Sequence, residues 1–359
     1  MAGFVVEELA IPATLDGAAG DDLRAACLVS TVVRSEIVGP ADGTVVAEDE
    51  LPRLLDQTYD RARVFVARVD GTIVGNAYLE WETDPGTRVS WLDLEVLPDY
   101  RGRGIGTALF DRIEGEAIAS GRPIAQGGAL HEPLADGERL PSATGHGSIA
   151  LADPSAHFLR KRGYTLEQIH RRSILHLPVP ADRLASLPNA PADVPAGYRV
   201  HPWEGPTPER WRDGVAHLLG RLRVDAPYGN LDMGDAVWDA QRVVTEDQQR
   251  LAAGQTSVVA VVEHVPTGDL VAYSGLTLPQ DRSRPAQQGT TLVLREHRGH
   301  RFGLLTKATT LRQLMTTSPE TPSIVTNNAE DNQHMLRVND LLGFQPLAYI
   351  GAWKRTFPD

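Results

Sequence analysis

Apolar positions along this chain fall into two periods, every second residue and every third or fourth, and the order of those periods occurs twice. In the first half, residues 4–11 have the alternation of a strand, and residues 22–38 and 49–59 carry apolar side chains at helical spacing. Residues 64–69 and 72–79 are strand-like and flank Asp70-Gly71, a two-residue hairpin signal. A strand at 89–97, a helix at 104–120 ended by Gly121 and a short strand at 123–125 follow. Asp153 as cap and Pro154 in the first turn open a helix at 153–162, which Gly163 closes, and residues 169–177 form a last strand. The second half repeats this order. Strands are expected at 198–203, 257–263, 270–276, 290–295, 323–326 and 348–355, with helices at 208–222, 233–253, 301–316 and 331–342. Three consecutive strands joined by short turns should run antiparallel, and the strand–helix–strand unit after them should be a right-handed parallel crossover. The expected fold class is mixed α/β, a mostly antiparallel sheet with helices on both faces.

Between the repeats, residues 178–195 hold five prolines, which fix φ and remove backbone donors, so this stretch reads as a semi-rigid linker. It separates an N-terminal domain, 1–177, from a C-terminal domain, 196–359. The 359 residues suffice for two domains, and no apolar run approaches a membrane span. The acidic start of the chain is no secretion leader, Ala2 stands where myristoylation needs glycine, and a cytoplasmic protein is expected. The single cysteine, Cys27, sits in an apolar helix and excludes an internal disulfide, and no metal site is expected. A net charge of −12 disfavours nucleic acid as a partner, favours a cationic acceptor and leaves any anionic ligand to local dipoles and a few arginines.

One such local site is legible. Arg101-Gly102-Arg103-Gly104-Ile105-Gly106 lies between an apolar strand and a helix that starts near Thr107, and Arg298-Gly299-His300-Arg301-Phe302-Gly303 recurs 197 residues later, before Leu304. Glycines let the chain close tightly, and the unpaired N–H groups of a helix start favour phosphate. No lysine follows either loop as a P-loop requires, and the glycine spacing differs from the dinucleotide fingerprint.

These residues resemble the GNAT superfamily of CoA-dependent N-acyltransferases. Arg101-x-x-Gly104-x-Gly106 matches its Arg/Gln-x-x-Gly-x-Gly/Ala signature in full, and Arg298-x-x-Arg301-x-Gly303 matches except at the central glycine. Helices ending in Gly163-Tyr164 and Gly343-Phe344 resemble a second family element. The paired arrangement is similar to tandem-GNAT proteins of actinobacterial type, a group that includes mycothiol synthase. The resemblance implies acetyl-CoA as co-substrate. Val96 and Val293 would lie near the pantetheine arm. The loops Arg101, Gly102, Arg103, Gly104, Gly106, Thr107 and Arg298, Gly299, His300, Arg301, Gly303, Leu304 would hold the pyrophosphate. Asn332 would be a contact to the CoA arm, and the first half has Ala152 at the corresponding distance from Gly163. If Arg301 needs positive φ, binding in the second half would be weakened. The first half has the better loop and the second the better final helix, and the reading leans slightly to the C-terminal half as the active one.

The family tyrosine that protonates the leaving thiolate is replaced by Leu159 and Asn339. Tyr349 and Tyr273 are the substitutes to consider, and Glu95 and Glu263 are candidate bases for the attacking amine. Two segments read as acceptor-side loops. One is the glycine-rich stretch 126–147, with His131 and His146; the other is 225–232, where Asp225, Tyr228 and Asp232 would meet a cationic amine. The expected function is acetyl transfer from acetyl-CoA to a primary amine of a small molecule. The alternatives are a non-catalytic acyl-CoA-binding or scaffold protein and an aminoacyl transferase that uses charged tRNA.

Overall fold

A computed structural model describes residues 3–133, 136–225, 227–234 and 237–358, apart from the side chains of 224 and 225. The N-terminal half runs β1 (Phe4–Glu8), α1 (Gly17–Gly43), α2 (Ala47–Leu55), β2 (Asp60–Val69), β3 (Thr72–Glu82), β4 (Val89–Val96), α3 (Ile105–Ala119), β5 (Ile124–His131), β6 (Arg139–Pro141), β7 (Ser148–Ala150), α4 (Pro154–Lys161) and β8 (Thr165–His176). A short helix, α5 (Ala181–Ser186), lies in the proline-rich segment. The C-terminal half runs β9 (Tyr198–Glu204), α6 (Arg212–Asp225), α7 (Ala240–Ala252), β10 (Thr256–His264), β11 (Asp269–Leu278), β12 (Ala286–Val293), α8 (Phe302–Thr317), β13 (Ser323–Ala329), α9 (Gln333–Leu342) and β14 (Gln345–Thr356).

The local signals act as expected. Asp70 and Gly71 both take positive φ, 48° and 84°, and set β2 against β3 from Val69↔Thr72 outward. Asp153 accepts from the Ala156 N–H at 2.9 Å and caps α4. Two segments differ from expectation. Residues 126–147 are not one irregular loop, because β5 continues to His131 and β6 and β7 pair as a small hairpin. The helix expected from 233 begins at Ala240, where Asp239 caps the Arg242 N–H at 2.7 Å.

The larger surprise is how the halves join. Twelve strands form one sheet in the order β1-β2-β3-β4-β5-β14-β8-β13-β12-β11-β10-β9. The last strands are exchanged. β14 of the C-terminal half pairs with β5 from Tyr349↔His131 to Thr356↔Ile124, and β8 of the N-terminal half pairs with β13 from Ser323↔His176 to Ala329↔His170. Trp353, on β14, is therefore fully buried in the N-terminal core with Leu79, Leu109, Ile113 and Ile169. The proline-rich segment is not a detached spacer. Val179 and Leu187 are buried in the C-terminal core, and Arg312 donates to the Leu184 and Leu187 carbonyls at 2.8 and 3.0 Å.

Candidate functional site

The two glycine loops are built alike at the backbone. Gly104 precedes α3 with φ 84°, and Arg301 precedes α8 with φ 60°. Glycine takes this left-handed conformation freely, whereas in arginine it costs about 1–2 kcal/mol. The first helical bonds run from the Ala108 N–H to the Gly104 carbonyl and from the Leu305 N–H to the Arg301 carbonyl, both 3.0 Å. The N–H groups of Ile105, Gly106 and Thr107, and of Phe302, Gly303 and Leu304, thus have no acceptor within their helices. The signature arginines brace the loops. Arg101 Nε donates to the Val96 carbonyl at 3.0 Å and Nη2 to Glu36 at 2.6 Å, and Arg298 Nε donates to the Val293 carbonyl at 3.2 Å. Arg103 donates to the Asp99 carbonyl at 2.6 Å and lies over Tyr100.

In the N-terminal half this loop opens on a cleft of about 1490 Å³. The cleft exists because β4 and β5 pair only from Val89↔Ile124 to Trp91↔Gln126 and then diverge. Gly127, just past the last pair, lets β5 lie against β4 where the split begins, since a Cβ there would sit 2.2 Å from the Leu92 carbonyl oxygen. Arg101, Gly102, Gly104, Gly106, Thr107 and Val96 all line the cleft. Glu95 lines it too, 7% exposed. Its carboxylate accepts from Arg34 Nε at 2.6 Å and, in a very short contact, from Ser30 Oγ. Burial, then the neighbouring Asp93 charge, raises the Glu95 pKa, and Arg34 opposes the rise. Ser30 and Arg34 stand one helical turn apart on α1 and present one face to β4. Leu159 occupies the cleft wall where the family acid was sought, and His131, 2% exposed, lies on the wall 3.0 Å from Asp153.

The C-terminal half repeats the strand split, pairing β12 with β13 only from Ala286↔Ile324 to Gln288↔Thr326. Its helix start is covered, however. Thr107 is exposed, but Leu304 at the matching position is 3% exposed. Leu304, Ala308 and Leu311 form a stripe on α8 that packs in one cluster with Val179, Leu184 and Leu187 of the proline-rich segment. Arg183 of α5 lies against Gly343 at the end of α9, where an added Cβ would be 2.8 Å from its Nη1. Lys307 fills the space between α8 and α9, donating to Asn339 Oδ1 at 2.8 Å, and Asn339 donates on to Asn328 at 2.6 Å. Burial lowers the Lys307 pKa to about 7. His300 is stacked on Phe302 and tilted against Tyr198. A separate cavity of about 310 Å³ lies beside β11 and α6 and is lined by none of the loop residues 298–304.

Several expected residues take other places. Glu263 accepts from, or shares a proton with, His201 Nε2 at 2.6 Å and lines neither cavity. Tyr349 alternates with Ile350, and only Ile350 lines the cleft. Tyr273 lies in the smaller cavity, where burial pushes its hydroxyl up to about 12. Asn332 caps α9 by accepting from the Met335 N–H at 3.2 Å. Its structural counterpart is the capping Asp153 and not Ala152, because Gly163 lies one residue beyond the C-cap Arg162 whereas Gly343 is itself the C-cap, so the two-residue difference in helix length shifts the cap by one. Tyr228 lines the smaller cavity, and Asp232 is fixed through its backbone to Gln126 at 2.7 and 2.8 Å. Asp225 ends α6, and its side chain lies outside the described residues. Ser30, Arg34, His131 as a cleft residue and Arg172 were not read from the sequence; only the i, i+4 spacing of Ser30 and Arg34 was a signal that could have found them.

Comparison with known proteins agrees with this geometry. Residues 60–166 match the acetyltransferase (GNAT) domain family. An acetyltransferase of Yersinia pestis (strain Pestoides F) is 45% identical over 65 residues, which are 18% of this chain and 44% of that protein. One of Pectobacterium atrosepticum is 43% identical over 65 residues, again 18% and 44%. The chain thus spans less than half the length of these curated relatives. Among solved structures, a tandem GNAT protein from the clavulanic acid biosynthesis pathway superposes with a TM-score of 0.75 at 24% identity, covering 99% of this chain and 100% of that one. A GCN5-related N-acetyltransferase from Sphaerobacter thermophilus superposes with a TM-score of 0.61 at 14% identity, covering 98% and 95%. Residues 60–166 are thus similar to the acetyltransferase (GNAT) domain family, and the whole chain has the fold of a tandem GNAT protein.

Proposed function

We propose that the protein is an acetyl-CoA-dependent N-acetyltransferase acting on a primary amine of a small molecule, and that the N-terminal half alone holds acetyl-CoA. The observation that carries this reading is the open cleft that joins the loop at 101–107 to the buried Glu95 carboxylate. The residues fit the group: three N–H groups at a helix start, behind a left-handed glycine, suit a pyrophosphate, and the split between β4 and β5 leaves an edge for an extended arm. When bound, acetyl-CoA supplies the thioester carbonyl. The acceptor amine must be neutral to attack it. Glu95, strengthened as a base by burial, takes the amine proton directly or through one water as the C–N bond forms and the C–S bond breaks. Ser30 and Arg34 hold the carboxylate in position. The counterpart loop at 298–304 serves the fold, since the proline-rich segment and Lys307 occupy its groove.

Thiol release from acetyl-CoA, followed with a thiol-reactive dye over a panel of primary amines, tests the activity. Amine-dependent release with the acetylated amine found by mass spectrometry is expected. Tight acetyl-CoA binding without release for any amine would favour the scaffold reading instead.

A further inference from the structure

The cleft is lined by residues of both halves. Arg284, between β11 and β12, donates to Asp49 Oδ2 at 2.8 Å and to the Thr44 carbonyl at 3.3 Å, so the C-terminal half closes one rim over the α1–α2 turn. Gln287 and Asn327 of the C-terminal half, and Arg172 of β8, also line the cleft. Strand exchange puts Arg172 here, between β14 and β13, with Asn327 as its neighbour in register.

Five arginines line the cleft. Among the described residues, four of them have a carboxylate partner: Arg34 with Asp93 and Glu95, Arg53 with Glu50 and Glu80, Arg101 with Glu36, and Arg284 with Asp49. Among the described residues Arg172 has none within 4.0 Å; its one hydrogen bond among them is a long 3.4 Å contact to Asn327 Oδ1, and its buried Nε has no acceptor there. Nearby Asp42 also lines the cleft, and its buried Oδ1 has no donor. Arg172 is half-buried, with its Nε enclosed and its Nη1 toward solvent, and a guanidinium in a cleft with no carboxylate against it presents a planar fork that suits one. Burial pushes the Arg172 pKa down and the Asp42 pKa up, and the attraction between the two charges opposes both shifts without closing to an ion pair.

We propose that the acceptor is an amino acid, a molecule that carries a carboxylate as well as its amine, and that Arg172 binds the carboxylate. This rests on the acetyl-transfer reading and narrows its substrate class. Asn327 flanks the carboxylate, and Asp42 supplies the complementary acid that suits a zwitterion. The amine is then turned toward Glu95.

The test is a set of twins that differ by the carboxylate: L-lysine and cadaverine, L-ornithine and putrescine, β-alanine and ethylamine, each assayed for thiol release with the full-length protein. The carboxylate-bearing twins should have kcat/KM values about ten- to a hundredfold higher, the worth of one charge-assisted hydrogen-bond pair. In Arg172→Gln the ratio between twins should fall toward one, and in Arg172→Lys part of it should remain. The acetyl-CoA dissociation constant and the thermal midpoint of both variants serve as the folding control. Equal rates for twins or a ratio unmoved by Arg172→Gln would overturn the proposal, whereas acetyl-CoA binding with no thiol release from any amine favours the scaffold reading. Failure to bind acetyl-CoA at all would instead overturn the acetyl-transfer reading beneath it.

Discussion

At the scale of single residues, the proposed base Glu95 shows how the fold alters an ordinary glutamate. On an alternating strand it could face solvent or core, and the sequence leaves both open. The fold places it on the cleft wall, where burial raises its pKa while Ser30 and Arg34 keep a carboxylate favourable. The rate should therefore rise with pH as Glu95 ionises, along a limb displaced upward from the ordinary carboxylate range, and level off above it. Glu95→Gln should lower kcat about a hundredfold or more and abolish that limb, with the acetyl-CoA dissociation constant unchanged. The limb from the amine itself, at higher pH, should remain. A pH–rate profile of the variant that keeps the lower limb would show that another group takes the proton.

At the scale of elements, α3 and α8 begin with the same backbone and end with different jobs. The difference was present in the sequence, at Thr107, Asp111 and Glu114 in one helix and Leu304, Ala308 and Leu311 in the other. An apolar stripe at that spacing asks for a covering partner, and the proline-rich segment supplies it with Val179, Leu184 and Leu187. Reading that segment as a spacer from its prolines concealed the match, and with it the closed state of the second groove. Lys307 is the matching anomaly, a lysine buried where α3 has Phe110. Its pKa is about 7 in the folded chain against 10.5 for the free side chain. Between those values the unfolded chain holds a proton that the folded chain has lost, so stability should rise as pH increases from about 7 toward about 10.5, by at most about 1.4 kcal/mol per pH unit. Thermal or urea unfolding of Lys307→Met should lose that slope; an unchanged slope would mean that Lys307 is not buried as neutral amine.

At the scale of the whole molecule, the duplicated order of elements, both hairpins and both helix-opening loops were legible because each rests on short-range chemistry: an Asp-Gly turn, a cap, a glycine at a helix end. The exchange of β8 and β14 was not. Alternation shows that a strand has two faces and does not tell which neighbour it pairs with. The exchange makes the halves interdependent, since β5 and β8 each lean on β14. A fragment of residues 1–177 should therefore aggregate or remain unfolded alone, as should 178–359, whereas the two expressed together should form a folded one-to-one complex by size exclusion and circular dichroism. A monomeric fragment that unfolds cooperatively by itself would contradict this. The same exchange carries Arg172 into the cleft, which residues of both halves line.

The central claim is that a tandem fold with two matching loops binds acetyl-CoA at one of them. Isothermal titration of acetyl-CoA into the full-length protein, Gly104→Ala and Gly299→Ala measures it directly. One site per chain is expected, with an affinity about tenfold or more weaker in Gly104→Ala, where a side chain must adopt φ near 84°, and an unchanged affinity in Gly299→Ala. Two sites per chain, or a loss confined to Gly299→Ala, would contradict it.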